Sequence, residues 1–156
     1  MAEDLTIATG TKEQQYQLLT KQIAALLLGE QDLIANMANV AAALKEQFHF
    51  WWVGFYLVKD DQLVLGPFQG PVACTRIAYG KGVCGAAWQK AETLIVPDVD
   101  SYPGHIACSS LSKSEIVVPV FAEGTCIAVL DIDSELLAHF DTIDQRYLEE
   151  IAKLLA

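Results

Sequence analysis

The residues of this chain best suited to chemistry are its four cysteines, Cys74, Cys84, Cys108 and Cys126, and a pair of aspartates, Asp131 and Asp133. The cysteines are spaced Cys-x9-Cys-x23-Cys-x17-Cys, with no Cys-x-x-Cys. Structural zinc ligands usually pair two to four residues apart. Only His105-x-x-Cys108 has such a spacing, so the pattern disfavours zinc. Cys126 lies in Thr125-Cys126-Ile127-Ala128-Val129-Leu130, a strand in which cysteine is one more small hydrophobe. The other three fall at loops or element junctions. Cys84 stands between Gly82 and Gly85, where a main chain can approach a ligand closely. Cys108 follows Pro103-Gly104-His105 and precedes Ser109-Ser110, a polar segment in which His105 or other donors can activate a thiol. At this point redox or nucleophilic chemistry and inert packing both stand.

The carboxylates favour chemistry. Asp131 and Asp133 are two apart in Val129-Leu130-Asp131-Ile132-Asp133-Ser134, so a strand projects both to one face. Like charges that close cannot both ionise freely, and one keeps its proton to higher pH. Glu115 opens the preceding strand and can meet them across a hairpin. A solvated strand end is the bland reading of the same residues. Trp52, Gly54 and Tyr56 alternate onto one face of their strand, and Trp51, Val53 and Phe55 onto the other. One row belongs to the core. The other, with glycine between two large rings, can make a slot for a small apolar group, although core packing on both faces is the default for such a strand.

The elements that position these residues follow from periodicity. Thr11-Lys12-Glu13-Gln14 has capping-box spacing, and Tyr16, Leu19, Ile23, Leu26 and Leu27 continue a helix that Gly29 stops. A second helix starts near Asp32 and puts Leu33, Met37, Val40, Ala41 and Leu44 on one face. Residues 50–58 and 62–68 read as strands around Lys59-Asp60-Asp61, with a third over 74–79. The loop 80–85 leads into a short helix over 86–90, and residues 93–96 form a short strand. Residues 97–103 are a loop. Residues 115–121 and 125–133 form a hairpin around Ala122-Glu123-Gly124, and Asp141 or Thr142 caps a closing helix. The pattern predicts an α+β fold: a central antiparallel sheet, N- and C-terminal helices on one face, and active-site loops on the other.

Composition bounds the function. A length of 156 residues predicts one domain, 1–156, at roughly 150 residues per domain. Hydrophobic residues at 53% against 19% charged argue for a packed core. A net charge of -10 argues against phosphate backbones and anionic lipid, so neither nucleic acid nor membrane is an expected partner. The acidic start Met1-Ala2-Glu3-Asp4 without an apolar run predicts a cytoplasmic protein.

Several stretches together resemble the free methionine-(R)-sulfoxide reductases, a branch of the GAF-domain fold. They are Gly66-Pro67-Phe68-Gln69-Gly70-Pro71-Val72-Ala73-Cys74, Gly82-Val83-Cys84-Gly85-Ala86-Ala87-Trp88, Val96-Pro97-Asp98-Val99, Pro103-Gly104-His105-Ile106-Ala107-Cys108, Ser114-Glu115-Ile116-Val117-Val118-Pro119 and Leu130-Asp131-Ile132-Asp133-Ser134. The resemblance implies a single GAF-like domain that reduces free L-methionine (R)-sulfoxide in defence against oxidative stress. By position it makes Cys108 the attacking thiol, Cys74 its resolving partner and Cys84 a third cysteine that assists recycling. It also makes Glu115, Asp131 and Asp133 carboxylates around the substrate, and Trp52 and Tyr56 the aromatic wall at its methyl group. Ser109 departs from the Asp found in many relatives, and Cys126 lies outside the pattern. The resemblance further implies no bound cofactor or metal, thioredoxin as external dithiol, and homodimerisation. The rival class is a non-catalytic GAF-type sensor of a small molecule or of redox state. The chain's close on its last helix, with no output segment, is the sequence feature against it.

Overall fold

The computed structural model describes residues 4–106 and 110–155. Two helices come first, α1 (Lys12–Leu27) and α2 (Leu33–Phe48). The α1 capping box forms as predicted: Thr11 Oγ1 accepts from Gln14 N, and the Gln14 side chain accepts from Thr11 N. Asp32 caps α2 by accepting from Ala35 N. There follow β1 (Trp52–Lys59), β2 (Gln62–Gln69), β3 (Arg76–Ala78), α3 (Gly82–Lys90) and β4 (Leu94–Val96), then a 3-10 turn at Val99–Ser101. β5 (Ser114–Ala122), β6 (Thr125–Ser134) and α4 (Thr142–Lys153) complete the chain.

The six strands form one antiparallel sheet in the order β3-β2-β1-β6-β5-β4. β5 and β6 are joined through Glu123 and Gly124, both at positive φ (52° and 79°), the backbone that a two-residue hairpin turn requires. One face of the sheet carries Val53, Phe55, Val118, Leu130 and Ile132 against Leu19, Ile23, Met37, Leu44, Leu148 and Ile151 of α1, α2 and α4. Alternation along β1 turns Trp52 and Tyr56 to the opposite face, where they pack with Val83, Cys84 and Ala87 of α3 and with Val117 and Val129. The α+β architecture with terminal helices behind the sheet is the one predicted.

Three local expectations need correction. The helix read over 86–90 begins at Gly82, because packing of Val83, Ala86 and Ala87 outweighs the low helix propensity of its glycines. Cys84 therefore lies in a helical turn, not in a loop. Gly85 serves that packing, since a Cβ there would stand 2.6 Å from Ala78 O. Trp51, expected on the core face with Val53 and Phe55, precedes the strand and packs with the Trp52 and Tyr56 cluster. Among the described residues no helix is long and apolar enough to cross a membrane.

Candidate active site

A cleft of about 620 Å³, its open mouth included, lies between the α3-facing side of β1, β5 and β6 and the start of α3. Its lining combines apolar and aromatic side chains with a few convergent polar groups, as small-molecule sites do. Its floor is acidic. Glu115 opposes Asp133 across the β5–β6 pair, and Asp131 lies two residues before Asp133 on the same face. The two-residue spacing of the aspartates, with a one-residue register shift between Val120 and Phe121 that sets Glu115 opposite Asp133, brings all three together as the sequence suggested. Glu115 and Asp131 are each 5% exposed.

Burial first, then the charges of Asp131 and Asp133, push the Glu115 carboxyl well above the usual carboxylate range. Burial, followed by the Asp131 charge, raises Asp133 likewise, although a hydrogen bond from Ser112 Oγ to Asp133 Oδ1 (3.2 Å) opposes it. Burial also raises Asp131. The three therefore titrate as a unit and retain protons where isolated carboxylates lose them.

Around the floor stand His105 and Cys84. His105 Nε2 is 3.7 Å from Glu115 Oε1, so the histidine noted beside Cys108 in sequence faces a carboxylate. Cys84 Sγ is 4.0 Å from Glu115 Oε2, and burial pushes this thiol well above its ordinary range. One ligand atom from each of Cys84, Glu115 and Asp131 lies within 4.8 Å of the others, a set able to hold a metal ion.

Aromatic side chains form the wall. The rings of Trp52 and Tyr56 stack at 5.9 Å. Phe68 of β2 stacks on Trp52 at 5.2 Å, and the space over Gly54 is filled by Phe68 Cβ and the edge of the Trp52 ring, so the slot expected there is closed. The polar ends of the wall tether the neighbouring loop: Trp52 Nε1 donates to Pro71 O, and Tyr56 Oη to Cys74 O, each at 3.0 Å. Cys74, on that loop, is a disulfide cysteine, while Cys84 and Cys126 are free thiols. Cys126 is half-buried on β6 and its Sγ donates to Ala128 O. Cys108 and Ser109 lie outside the described residues.

Of the residues singled out in the sequence, Trp52, Tyr56, Cys84, Glu115, Asp131 and Asp133 line one cleft. Ser112 and Lys81 line it too and were missed. Ser112 carried no motif signal, and Lys81 read only as part of a glycine-rich loop.

The GAF domain family matches residues 28–156. The free methionine-R-sulfoxide reductase of Escherichia coli (strain K12) is 43% identical over 145 residues, 92% of this chain and 88% of that one. The X-ray structure of the free methionine-R-sulfoxide reductase of Neisseria meningitidis, in complex with its substrate, aligns with a TM-score of 0.96 at 56% identity, over 99% of this chain and 93% of that one. This chain belongs to the free methionine-R-sulfoxide reductase family of GAF domains. The chain is also similar to the GAF domain-containing protein A of Dictyostelium discoideum, 65% identical over 156 residues and 99% of both chains. Membership in the free methionine-R-sulfoxide reductase family bears out the resemblance read from the motifs.

Proposed function

We propose that this protein, acting as one domain over residues 1–156, reduces free L-methionine (R)-sulfoxide to methionine in the cleft between β1, β5, β6 and α3. The observation that carries the reading is the cluster of Glu115, Asp131 and Asp133, the first two buried, facing the Trp52 and Tyr56 rings in a chain of this family. The rings receive the substrate's methyl group. One carboxylate pairs with the ammonium that only a free amino acid has, and a carboxyl still holding its proton donates it to the sulfoxide oxygen.

Cys108 is the attacking thiol. Its sulfur bonds to the sulfoxide sulfur while the oxygen takes up the donated proton. Transfer of that hydroxyl to the Cys108 sulfur breaks the substrate's S–O bond and the transient sulfur–sulfur bond, leaving methionine and a sulfenic acid, and the thiol's own proton restores the carboxyl. The Cys74 thiol then displaces hydroxide, which leaves as water with the Cys74 proton, and a Cys74–Cys108 disulfide forms. The disulfide state of Cys74 supports a redox role for that residue. An external dithiol, thioredoxin in this reading, is oxidised to its own disulfide as it restores both thiols, with Cys84 assisting. No resident metal, flavin or nicotinamide enters these steps. The R preference, cytoplasmic location and homodimer belong to the same proposal.

The test compares kcat/KM for free (R)-sulfoxide, free (S)-sulfoxide and N-acetylated (R)-sulfoxide, with excess dithiol. Acetylation removes the charged amine and leaves a buried carboxylate unpaired, a cost of several kcal/mol by order of magnitude. The expected loss is more than about a hundredfold. Similar values for the free and acetylated substrates would remove the amine-pairing role, and no turnover of any sulfoxide would leave the sensor reading.

A further inference from the structure

We propose that Cys84, Glu115 and Asp131 form a binding site for a thiophilic divalent cation of the Zn2+ class, with His105 at its edge, and that a cation there blocks the cleft. The three side chains belong to three elements, α3, β5 and β6, so the fold alone assembles them. Their ligand atoms lie within 4.8 Å of one another, and all three residues are buried. The Cys84 Sγ to Glu115 Oε2 separation of 4.0 Å compares with about 3.6 Å between sulfur and oxygen on a tetrahedral zinc ion. A side-chain shift of about half an ångström closes the difference.

A second observation is independent of the clustering. Asp131 Oδ1 is buried and has no hydrogen-bond partner among the described residues. Such an acceptor is uncommon in a folded interior and calls for a ligand. Beside it, His105 Nε2 lies 3.7 Å from Glu115 Oε1 and can supply a fourth, nitrogen ligand. One thiolate, carboxylates and an imidazole select Zn2+ or Cd2+ over Mg2+ and Ca2+, which prefer all-oxygen sites. Binding involves no redox change: Cys84 releases its thiol proton to solvent and its sulfur bonds the metal. Because a thiol has to lose its proton to bond a metal, affinity rises with pH. Cation and amino-acid substrate would use the same carboxylates, so the ion acts as an inhibitor. Inhibition of turnover rests on the function proposed above; metal binding does not.

The experiment uses the protein with Cys74 in its disulfide, where Cys84 and Cys126 are free thiols. Cd2+ is titrated calorimetrically, and its sulfur-to-cadmium charge-transfer absorbance is followed. One equivalent is expected, with the absorbance lost in Cys84→Ser, binding weakened more than about tenfold in Asp131→Asn, and neither changed in Cys126→Ser. Absorbance that survives Cys84→Ser, or that disappears with Cys126→Ser, overturns the site, as does the absence of stoichiometric binding. X-ray absorption of Zn2+ bound to the unsubstituted protein reads the ligands without relying on a variant's folding. One sulfur neighbour at about 2.3 Å among lighter atoms is expected, and a shell without sulfur overturns the proposal. Separately, Zn2+ should inhibit sulfoxide turnover competitively; failure of turnover alone bears on the function and leaves the binding result standing.

Discussion

Glu115 faces Asp133 across the hairpin and has Asp131, the Cys84 thiol and His105 around it, so losing its proton places a charge in a buried, acidic setting. Its raised pKa is a statement about stability as well as chemistry. In the unfolded chain the carboxyl ionises at its ordinary value, whereas the folded protein holds the proton longer. The stabilisation is thus fully present below the ordinary carboxylate range and is lost as pH rises through the elevated folded value. Asp133 and Asp131 shift in the same direction and add to the effect. Glu115→Gln keeps the shape and removes the titration. The variant should melt at least about 3 °C above the unsubstituted protein at pH 8, with the gap narrowing toward pH 5, while sulfoxide turnover falls. Thermal unfolding at both pH values checks this, and a gap that fails to grow with pH would show that Glu115 is not held protonated.

Among the elements, β1 does most to shape the cleft. It presents Val53 and Phe55 to the helices and Trp52 and Tyr56 to the site, and Gly54 between them pairs with Phe68. A Cβ at position 54 would lie 2.3 Å from Phe68 Cβ and 2.8 Å from the far edge of the Trp52 ring. The first contact is with a side-chain atom anchored to the β2 backbone, so the strand pair has to part. Gly54→Ala should cost about 1–3 kcal/mol in denaturant unfolding, as overpacking of a close core does. It should also displace Trp52 from its hydrogen bond to Pro71 O, seen as a change in tryptophan fluorescence and a higher KM. Unchanged stability and fluorescence would mean that β2 yields without strain.

At the scale of the molecule, the two ends of the chain are joined behind the sheet. Asp144 in the first turn of α4 is buried, accepts from Tyr16 Oη at 2.6 Å and from Lys12 Nζ at 2.7 Å, and completes the α4 capping box by accepting from Asp141 N. Tyr16 also stacks on Tyr147, with ring centroids 5.4 Å apart. Lys12 is 32% exposed, so its pairing contributes less than the buried tyrosine bond. Asp144→Ala strands the Tyr16 hydroxyl in the core and should destabilise by about 2–4 kcal/mol. Denaturant unfolding measures this. The cleft lies on the other face of the sheet, so kcat/KM of the folded variant below its melting transition should remain close to that of the unsubstituted protein. A large loss of kcat/KM at retained stability would show that the helical layer tunes the site.

Local interactions made much of this protein legible in its sequence. Capping at Thr11 and Asp32 depends on residues within one turn, and the alternation along β1 follows from backbone geometry. The shared face of Asp131 and Asp133 was readable from their spacing, but the two-residue turn alone would set Glu115 opposite Ile132, and the register shift between Val120 and Phe121 is what brings it opposite Asp133. The start of α3 at Gly82, the filling of the Gly54 space by Phe68, the side taken by Trp51, and the places of Ser112 and Lys81 were decided by tertiary packing. So was the approach of Cys84 to Glu115, 31 residues away in sequence. Local bonds depend on the next few residues. These contacts depend on which strands become neighbours and how a helix seats on the sheet, and residues distant in the chain set that together.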